Sequence, residues 1–248
     1  MADVKRYMLI ACEILYREVC YSVALSKNIV DIRFMEKGLH DIGAKSMSQK
    51  LQEEIDKVDK NRYDAILLVY GLCNNGTVGL RASLPMVIPK AHDCITLLLG
   101  SKEKYMEYHD KNSAAYYRST GWIERDAEKD CPEESIPSQL GINKTYLDYV
   151  EQYGEENARY LMETIGDWTA NYDKYAYIDV GIGDFERYAE ETRRMAGEKG
   201  WSFEQVQGST SLLAKLCDGQ WDENDFLVVP PGKEIVASFD KNVLCSGE

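Results

Sequence analysis

The stretch YDAILLVYG at Tyr63–Gly71 is the clearest strand in the sequence. Its apolar core, Ala65–Val69, does not alternate with polar residues. Such a run is typical of a parallel strand that is covered on both faces. We therefore predict that this segment lies at the centre of a parallel sheet.

Alternating strand and helix patterns surround this segment. The order β-α-β-α-β predicts an α/β fold with mostly parallel, Rossmann-like sheets that are flanked by helices. The patterns lie at Arg6–Cys12 (strand), Glu13–Leu25 (helix), Ile29–Met35 (strand), Lys45–Val58 (helix) and Pro85–Ala91 (strand).

Three segments follow from these patterns. Residues 1–112 form a first α/β half that carries the candidate site. Residues 113–172 form an aromatic and helical connection, with one extended strand at Ser113–Ile123 and helices near Tyr146–Tyr153 and Glu155–Trp168. Residues 173–248 resume the α/β order as a second half, which could form one domain with the first.

Composition excludes several function classes. The 248 residues include 29 basic and 42 acidic side chains, for a net charge of −13, and 44% are hydrophobic. An acidic chain does not suit a nucleic-acid backbone or an anionic membrane surface. The N-terminal run Tyr7–Cys12 is too short for a signal peptide, and no segment is long enough to span a membrane, so we expect a cytoplasmic protein.

Three of the seven cysteines follow predicted strands. Cys12, Cys73 and Cys94 come after the first, the central and the Pro85–Ala91 strand. Ligands of parallel sheets bind beyond the carboxyl ends of the strands, so these thiols are expected in one crevice. They could hold Zn²⁺ with an open fourth position, which we favour, or three irons of a four-iron four-sulfur cluster. Alternatively they fill gaps in the core. The other four cysteines, Cys20, Cys131, Cys217 and Cys245, are expected to be structural or incidental.

Two His-Asp pairs follow predicted strands. His92 stands two residues before Cys94, so we predict that it lines the crevice as a fourth ligand or a proton carrier. For His40, which has no cysteine near it in sequence, participation stays open.

Two glycine-containing loops are candidates for substrate binding. The loop that includes Tyr70, Asn74, Asn75 and Gly76 has the glycine spacing of a phosphate loop but lacks its lysine. It predicts an Asn-Gly turn more strongly than an amide nest for an anion. Gly181 and Gly183 form only half of a dinucleotide fingerprint at another strand end.

Several short motifs together resemble a prokaryotic domain family of unknown function. They are ACE at 11–13, YGLCNNG at 70–76, IPKAHDC at 88–94, LGS at 99–101, GW at 121–122 and FLVVPPG at 226–232, and Lys90 replaces a more usual Arg. The resemblance implies an association with corrinoid-dependent methyltransferase systems of anaerobic one-carbon metabolism, but no activity.

These observations support three hypotheses. The first is a metal-binding protein or enzyme that acts on a small molecule in one-carbon or methyl-transfer metabolism, with a corrinoid protein or methyltransferase as a possible partner. The second is a non-catalytic accessory protein that binds a corrinoid, a nucleotide or a partner. The third is metal-free catalysis with Cys94 as nucleophile and a histidine as base.

Overall fold

The computed structural model describes residues 4–39, 42–126, 171–238 and 242–247, and the single residues 150, 151, 154, 155, 157, 159, 160 and 240. The described strands are β1 (Arg6–Cys12), β2 (Ile29–Met35), β3 (Ala65–Val69), β4 (Met86–Pro89), β5 (Ala115–Ser119), β6 (Lys174–Asp179), β7 (Ser202–Gln207), β8 (Phe226–Val229), β9 (Ile235–Ala237) and β10 (Leu244–Ser246). The described α-helices are α1 (Tyr16–Leu25), α2 (Ala44–Asp56), α3 (Cys94–Leu99), α4 (Lys102–Lys111), α5 (Thr120–Asp126), α6 (Phe185–Lys199) and α7 (Ser211–Asp218), and a 3₁₀ helix spans Glu13–Leu15.

The larger sheet has five strands in the order β2-β1-β3-β4-β8. The first four are parallel, and β8 pairs antiparallel with β4. The predicted α/β class with mostly parallel strands is therefore confirmed. The last third of the chain supplies β8 to a sheet that otherwise comes from the first hundred residues.

Strand β3 lies in the middle of this sheet, as its sequence predicts. It pairs in parallel with β1 on one side and with β4 on the other. Leu67 and Leu68 are completely buried. Burial of one leucine side chain stabilises a protein by about 1.5–3 kcal/mol, so β3 is a main source of the fold's stability.

A second sheet, β5-β6-β7, is parallel throughout. The sequence predicts one extended strand over Ser113–Ile123, and this prediction is wrong at its C-terminal end. Strand β5 stops at Ser119, and α5 begins at Thr120. Gly121, which has no Cβ, lies directly against the carbonyl oxygen of Ile14. Side-chain atoms at 121 would collide with that backbone.

The described residues leave two expectations untested, namely the helices of the connecting segment and the boundaries between the three segments. The helices expected near Tyr146–Tyr153 and Glu155–Trp168 fall largely outside the described residues. The division at residues 112 and 172 stays a prediction, although Ile178 of β6 belongs to the same hydrophobic core as the larger sheet. Among the described helices, none is long and apolar enough to cross a membrane.

One buried acid stands out in the first helix. The side chain of Glu18 in α1 is only 1% exposed, and neither of its carboxylate oxygens has a hydrogen-bond partner from another residue of the described chain. Burial raises the pKa of this carboxyl to about 7, and the nearby charge of Glu124 adds to the shift. Glu18 is therefore neutral below that pH and carries a poorly solvated charge above it.

This burial predicts a pH-dependent stability. The unfolded state releases the Glu18 proton near pH 4.5, whereas the folded state holds it to about pH 7, so stability should fall as the pH rises between these values. Glu18→Gln should raise the free energy of unfolding at pH 8 by about 3 kcal/mol or somewhat less, and should remove this decline. Urea unfolding at pH 5 and pH 8 measures the effect, with the exposed Glu53→Gln as the control. Equal stabilisation by the two substitutions would contradict the account.

Candidate functional site

The three predicted cysteines surround one cavity. Cys12 ends β1, Cys73 follows β3, and Cys94 begins α3 after β4, and these three strands are neighbours in the larger sheet. The cavity has a volume of about 30 Å³, which is enough for one or two water molecules. Its other described lining residues are apolar or aromatic: Ile14, Leu15, Leu39, Met47, Val69, Tyr70 and Leu97.

Backbone pairing beyond the ends of β3 and β4 positions Cys73. The N–H of Leu72 donates to the carbonyl of Ala91 at 2.8 Å, and the N–H of Cys73 donates to the carbonyl of His92 at 2.9 Å. A Cβ at Gly71 would lie 2.6 Å from the Ala91 oxygen, so a larger residue would push the two segments apart. Gly71 thus allows Cys73 and Cys94 to approach each other.

A tight turn follows Cys73. Asn74 and Asn75 have φ values of 55° and 65°, and the N–H of Gly76 donates to the Cys73 carbonyl at 2.9 Å. Asparagine tolerates these left-handed conformations better than most residues. The segment is a tight turn, as predicted, but Asn74 and Asn75 rather than Asn75 and Gly76 occupy its two central positions. Cys73 itself has a φ of 45°, a conformation that costs on the order of 1–3 kcal/mol in a residue that is neither Gly nor Asn.

One N–H of the predicted amide nest at Asn74–Thr77 is already used in the turn. The N–H of Gly76 donates to the Cys73 carbonyl, so it is not directed at an anion. Asn74 and Asn75 are exposed and are not among the residues that line the cavity. Their role in substrate binding, like that of Gly76, stays a prediction.

The N-terminal end of α3 positions Cys94. The carboxylate of Asp93 accepts a hydrogen bond from the N–H of Thr96 at 3.1 Å and so caps the helix. Burial raises the pKa of the Cys94 thiol, and a side-chain hydrogen bond with the indole of Trp122 partly offsets that effect. Trp122 lies in α5, so the helix that follows β5 also contacts the thiol site.

The structure places His92 differently from the sequence prediction. Its side chain is exposed and is not part of the described cavity lining, and its ring centroid lies 5.9 Å from that of Tyr105. The reason is that the His92 carbonyl faces Cys73, whereas the imidazole contacts α4. The expected position in the cavity wall is therefore wrong, and a proton-carrying role stays a prediction. His40 lies outside the described residues.

Gly181 and Gly183 lie after β6 in the other sheet. Both are exposed, with φ values of 75° and 91°. The N–H of Gly181 donates to the Asp179 carboxylate at 2.7 Å, and Gly183 lies against the Arg17 side chain. Neither glycine lines the thiol cavity, and their substrate-binding role also stays a prediction.

Cys73 and Cys94 are held in the neutral thiol form. Burial raises the pKa of Cys73 to about 12 and that of Cys94 well above its ordinary value, and the charges of Asp93 and of the neighbouring cysteines add to both shifts. The environment therefore does not activate Cys94 as a metal-free nucleophile. Within the described part of the chain, no group of three or more His, Cys, Asp or Glu residues is arranged to hold a metal ion.

Tyr70 brings a polar group to the cavity. The residue is 3% exposed, and its phenolic oxygen is buried without a hydrogen-bond partner in the described structure. Burial raises the pKa of the phenol well above 10, and the adjacent Cys12 and Cys73 raise it further. The Tyr70 phenol is thus a neutral hydrogen-bond donor without an acceptor in the described structure.

A comparison with protein-family models shows to which family the chain belongs. The model of a family described as "Protein of unknown function (DUF1638)" matches residues 34–217, which is more than half of the 248 residues. The chain belongs to this family. Cys73, Cys94 and Trp122 lie inside the region matched by the DUF1638 model, and Cys12 precedes it. Searches of curated proteins and of solved structures found no match.

Trp122 and Met47 are site residues that the sequence argument missed. The Gly121-Trp122 pair contributes to the family resemblance, but no spacing rule connects it to Cys94. Met47 is one of the apolar residues of α2 at helical spacing, and such a pattern indicates a buried face without showing what that face covers.

Alkylation rates test the state of the thiols. With raised pKa values, Cys73 and Cys94 should react with iodoacetamide at pH 7.5 at least about a hundredfold more slowly than the exposed Cys245. Peptide mapping by mass spectrometry after timed labelling of metal-free native protein measures each site. Labelling of Cys94 at the rate of Cys245 would instead support the hypothesis of a cysteine nucleophile.

Proposed function

We propose that this DUF1638 protein binds one thiophilic metal ion, zinc in the first place, through Cys12, Cys73 and Cys94. One observation carries the proposal: three thiols from the ends of three adjacent strands line the same small cavity. In this structure the described cysteines are not arranged as a ready-made metal site, so metal binding requires their side chains to turn toward a common ion. Thiolate sulfur is a preferred zinc ligand, and three protein ligands with one open position are typical of catalytic zinc sites.

The size of the cavity favours a single ion over a cluster. A volume of about 30 Å³ is comparable to one or two water molecules. A four-iron four-sulfur cluster is several times larger and would require Met47, Leu39 or their neighbours to move. It therefore stays the second choice for the three cysteines.

Metal binding at this site requires that the thiols lose their protons. The raised pKa values mean that zinc must displace protons from Cys73 and Cys94, so zinc affinity should increase with pH. Two hydrogen bonds lower the pKa of these thiols and so favour the thiolates. They connect Cys94 with the Trp122 side chain and Cys73 with the backbone of Gly71.

Such a centre supports reactions of a small nucleophile. A zinc ion with an open position binds a thiol or water and favours its deprotonated form. The Tyr70 phenol, which is neutral and unpartnered, would donate a hydrogen bond to a group bound beside the three sulfurs. The apolar wall of Ile14, Leu15 and Leu97 would keep bulk water from that group.

The metabolic context rests on the resemblance alone. A small substrate of one-carbon or methyl-transfer metabolism, and a corrinoid protein or methyltransferase as partner, remain predictions. So does the alternative that the protein is a non-catalytic accessory that binds a corrinoid, a nucleotide or a partner. Metal content distinguishes the two, because only the first hypothesis requires zinc at the cysteines.

The proposal predicts the metal content of the purified protein. Anaerobically purified protein should contain about one zinc per chain, and Cys94→Ser should reduce zinc affinity by at least about a hundredfold because one thiolate ligand is lost. The exposed Cys245→Ser is the matched control and should keep full stoichiometry. Elemental analysis and competition with a chromophoric chelator measure both quantities.

The variant His92→Ala tests whether the imidazole of His92 is a zinc ligand. Since the imidazole lies outside the cavity lining, the variant should bind zinc like the unaltered protein. A loss of zinc in His92→Ala would show that His92 is the fourth ligand after all. Absence of zinc and iron from the unaltered protein, with no binding of added zinc, would refute the proposed metal site.

A further inference from the structure

A second and larger cavity lies beside the thiol site. Its volume is about 170 Å³, and it is formed by β5 together with residues of α3, α5 and β6. Most of its described wall is apolar or aromatic, and Arg118, the one charged residue in that wall, lies 3.8 Å from Glu191. We refer to it as the aromatic recess; its main lining residues are Ile95, Leu98, Tyr117, Ser119, Trp122 and Ile178.

Trp122 belongs to both sites. It lines the aromatic recess, and its indole is hydrogen-bonded to the Cys94 thiol. Ile95, the residue after Cys94, also lines the recess. A molecule in the recess would therefore be separated from the thiol cavity by little more than one indole ring.

Tyr117 lines the recess. Its phenolic oxygen is buried, has almost no accessible surface and has no hydrogen-bond partner in the described structure, so a small rotation of the ring is needed to bring it to a ligand in the recess. Burial raises the pKa of this phenol to about 12, so it is a neutral donor at physiological pH. A buried donor without a partner costs stability, and a ligand that accepts its hydrogen bond would recover that cost.

We propose that the aromatic recess binds a small, planar, mainly apolar molecule that carries one hydrogen-bond acceptor for Tyr117. The size fits, because an apolar cavity of about 150 Å³ is known to bind benzene. A recess of about 170 Å³ takes such a ring and a small substituent. This inference rests on the proposed function in one respect only: Trp122 places the ligand beside Cys94, which is one of the proposed metal ligands.

Two probes of equal size test this ligand class. Anisole carries an ether oxygen that can accept a hydrogen bond, and ethylbenzene has the same shape without an acceptor. Anisole should bind the full-length protein, and Tyr117→Phe should weaken its binding by about five- to tenfold. Tyr117→Phe should leave the affinity for ethylbenzene unchanged. Titration calorimetry, together with the shift of tryptophan fluorescence, measures binding.

A larger side chain at the wall shows where the probes bind. Ile95→Phe should fill part of the recess and abolish binding of both probes, while thermal unfolding reports whether the variant is folded. If it is not folded, Ala115→Val, a substitution at another residue of the recess wall, serves the same purpose. Binding that survives in a folded, blocked variant would place the probes elsewhere and overturn the proposal.

The remaining outcomes are equally decisive. Failure of both probes to bind at millimolar concentration would refute the recess as a ligand site, and an unchanged anisole affinity in Tyr117→Phe would refute the assigned ligand class. The titrations are made on protein as purified and again after removal of metal. Since probe binding does not require zinc, failure here and failure of the metal proposal are separate results.

Discussion

The backbone pairing between the segments that follow β3 and β4 determines the geometry of the candidate site. Two N–H groups, of Leu72 and Cys73, continue the sheet past its last regular residues by donating to Ala91 and His92. This continuation brings Cys73 toward Cys94 and turns the His92 ring outward. It requires Gly71, because any side chain there would contact the Ala91 carbonyl. The left-handed conformation of Cys73 is maintained in the same way, by bonds on both sides of the residue.

The two sheets meet at the thiol site through α5. Gly121 lies against the Ile14 carbonyl, and Trp122 reaches the Cys94 thiol, so the helix that follows β5 contributes to a site whose cysteines all lie at strand ends of the larger sheet. Ligand sites are common where two parts of an α/β protein meet. The neighbouring aromatic recess shares Trp122 with this site. A change at the tryptophan would therefore affect both the thiols and the recess.

The sequence predicted the features that depend on hydrophobic pattern. Five consecutive apolar residues at Ala65–Val69 placed β3 at the centre of a parallel sheet, and the strand-end rule brought Cys12, Cys73 and Cys94 to one cavity. The direction of His92 could not be predicted, because spacing from Cys94 does not show which backbone groups are hydrogen-bonded. Trp122 was missed because its contact with Cys94 joins residues far apart in the chain. The unpartnered oxygens of Tyr70, Tyr117 and Glu18 were also beyond prediction, since a sequence shows polarity but not burial.

The central claim is that three cysteines from adjacent strand ends form one metal centre. X-ray absorption at the zinc edge, measured on anaerobically purified protein, tests it most directly. The account predicts about three sulfur scatterers at about 2.3 Å from zinc, and the loss of one of them in Cys73→Ser. A first shell of only nitrogen and oxygen, or a sulfur count that is unchanged in Cys73→Ser, would contradict it.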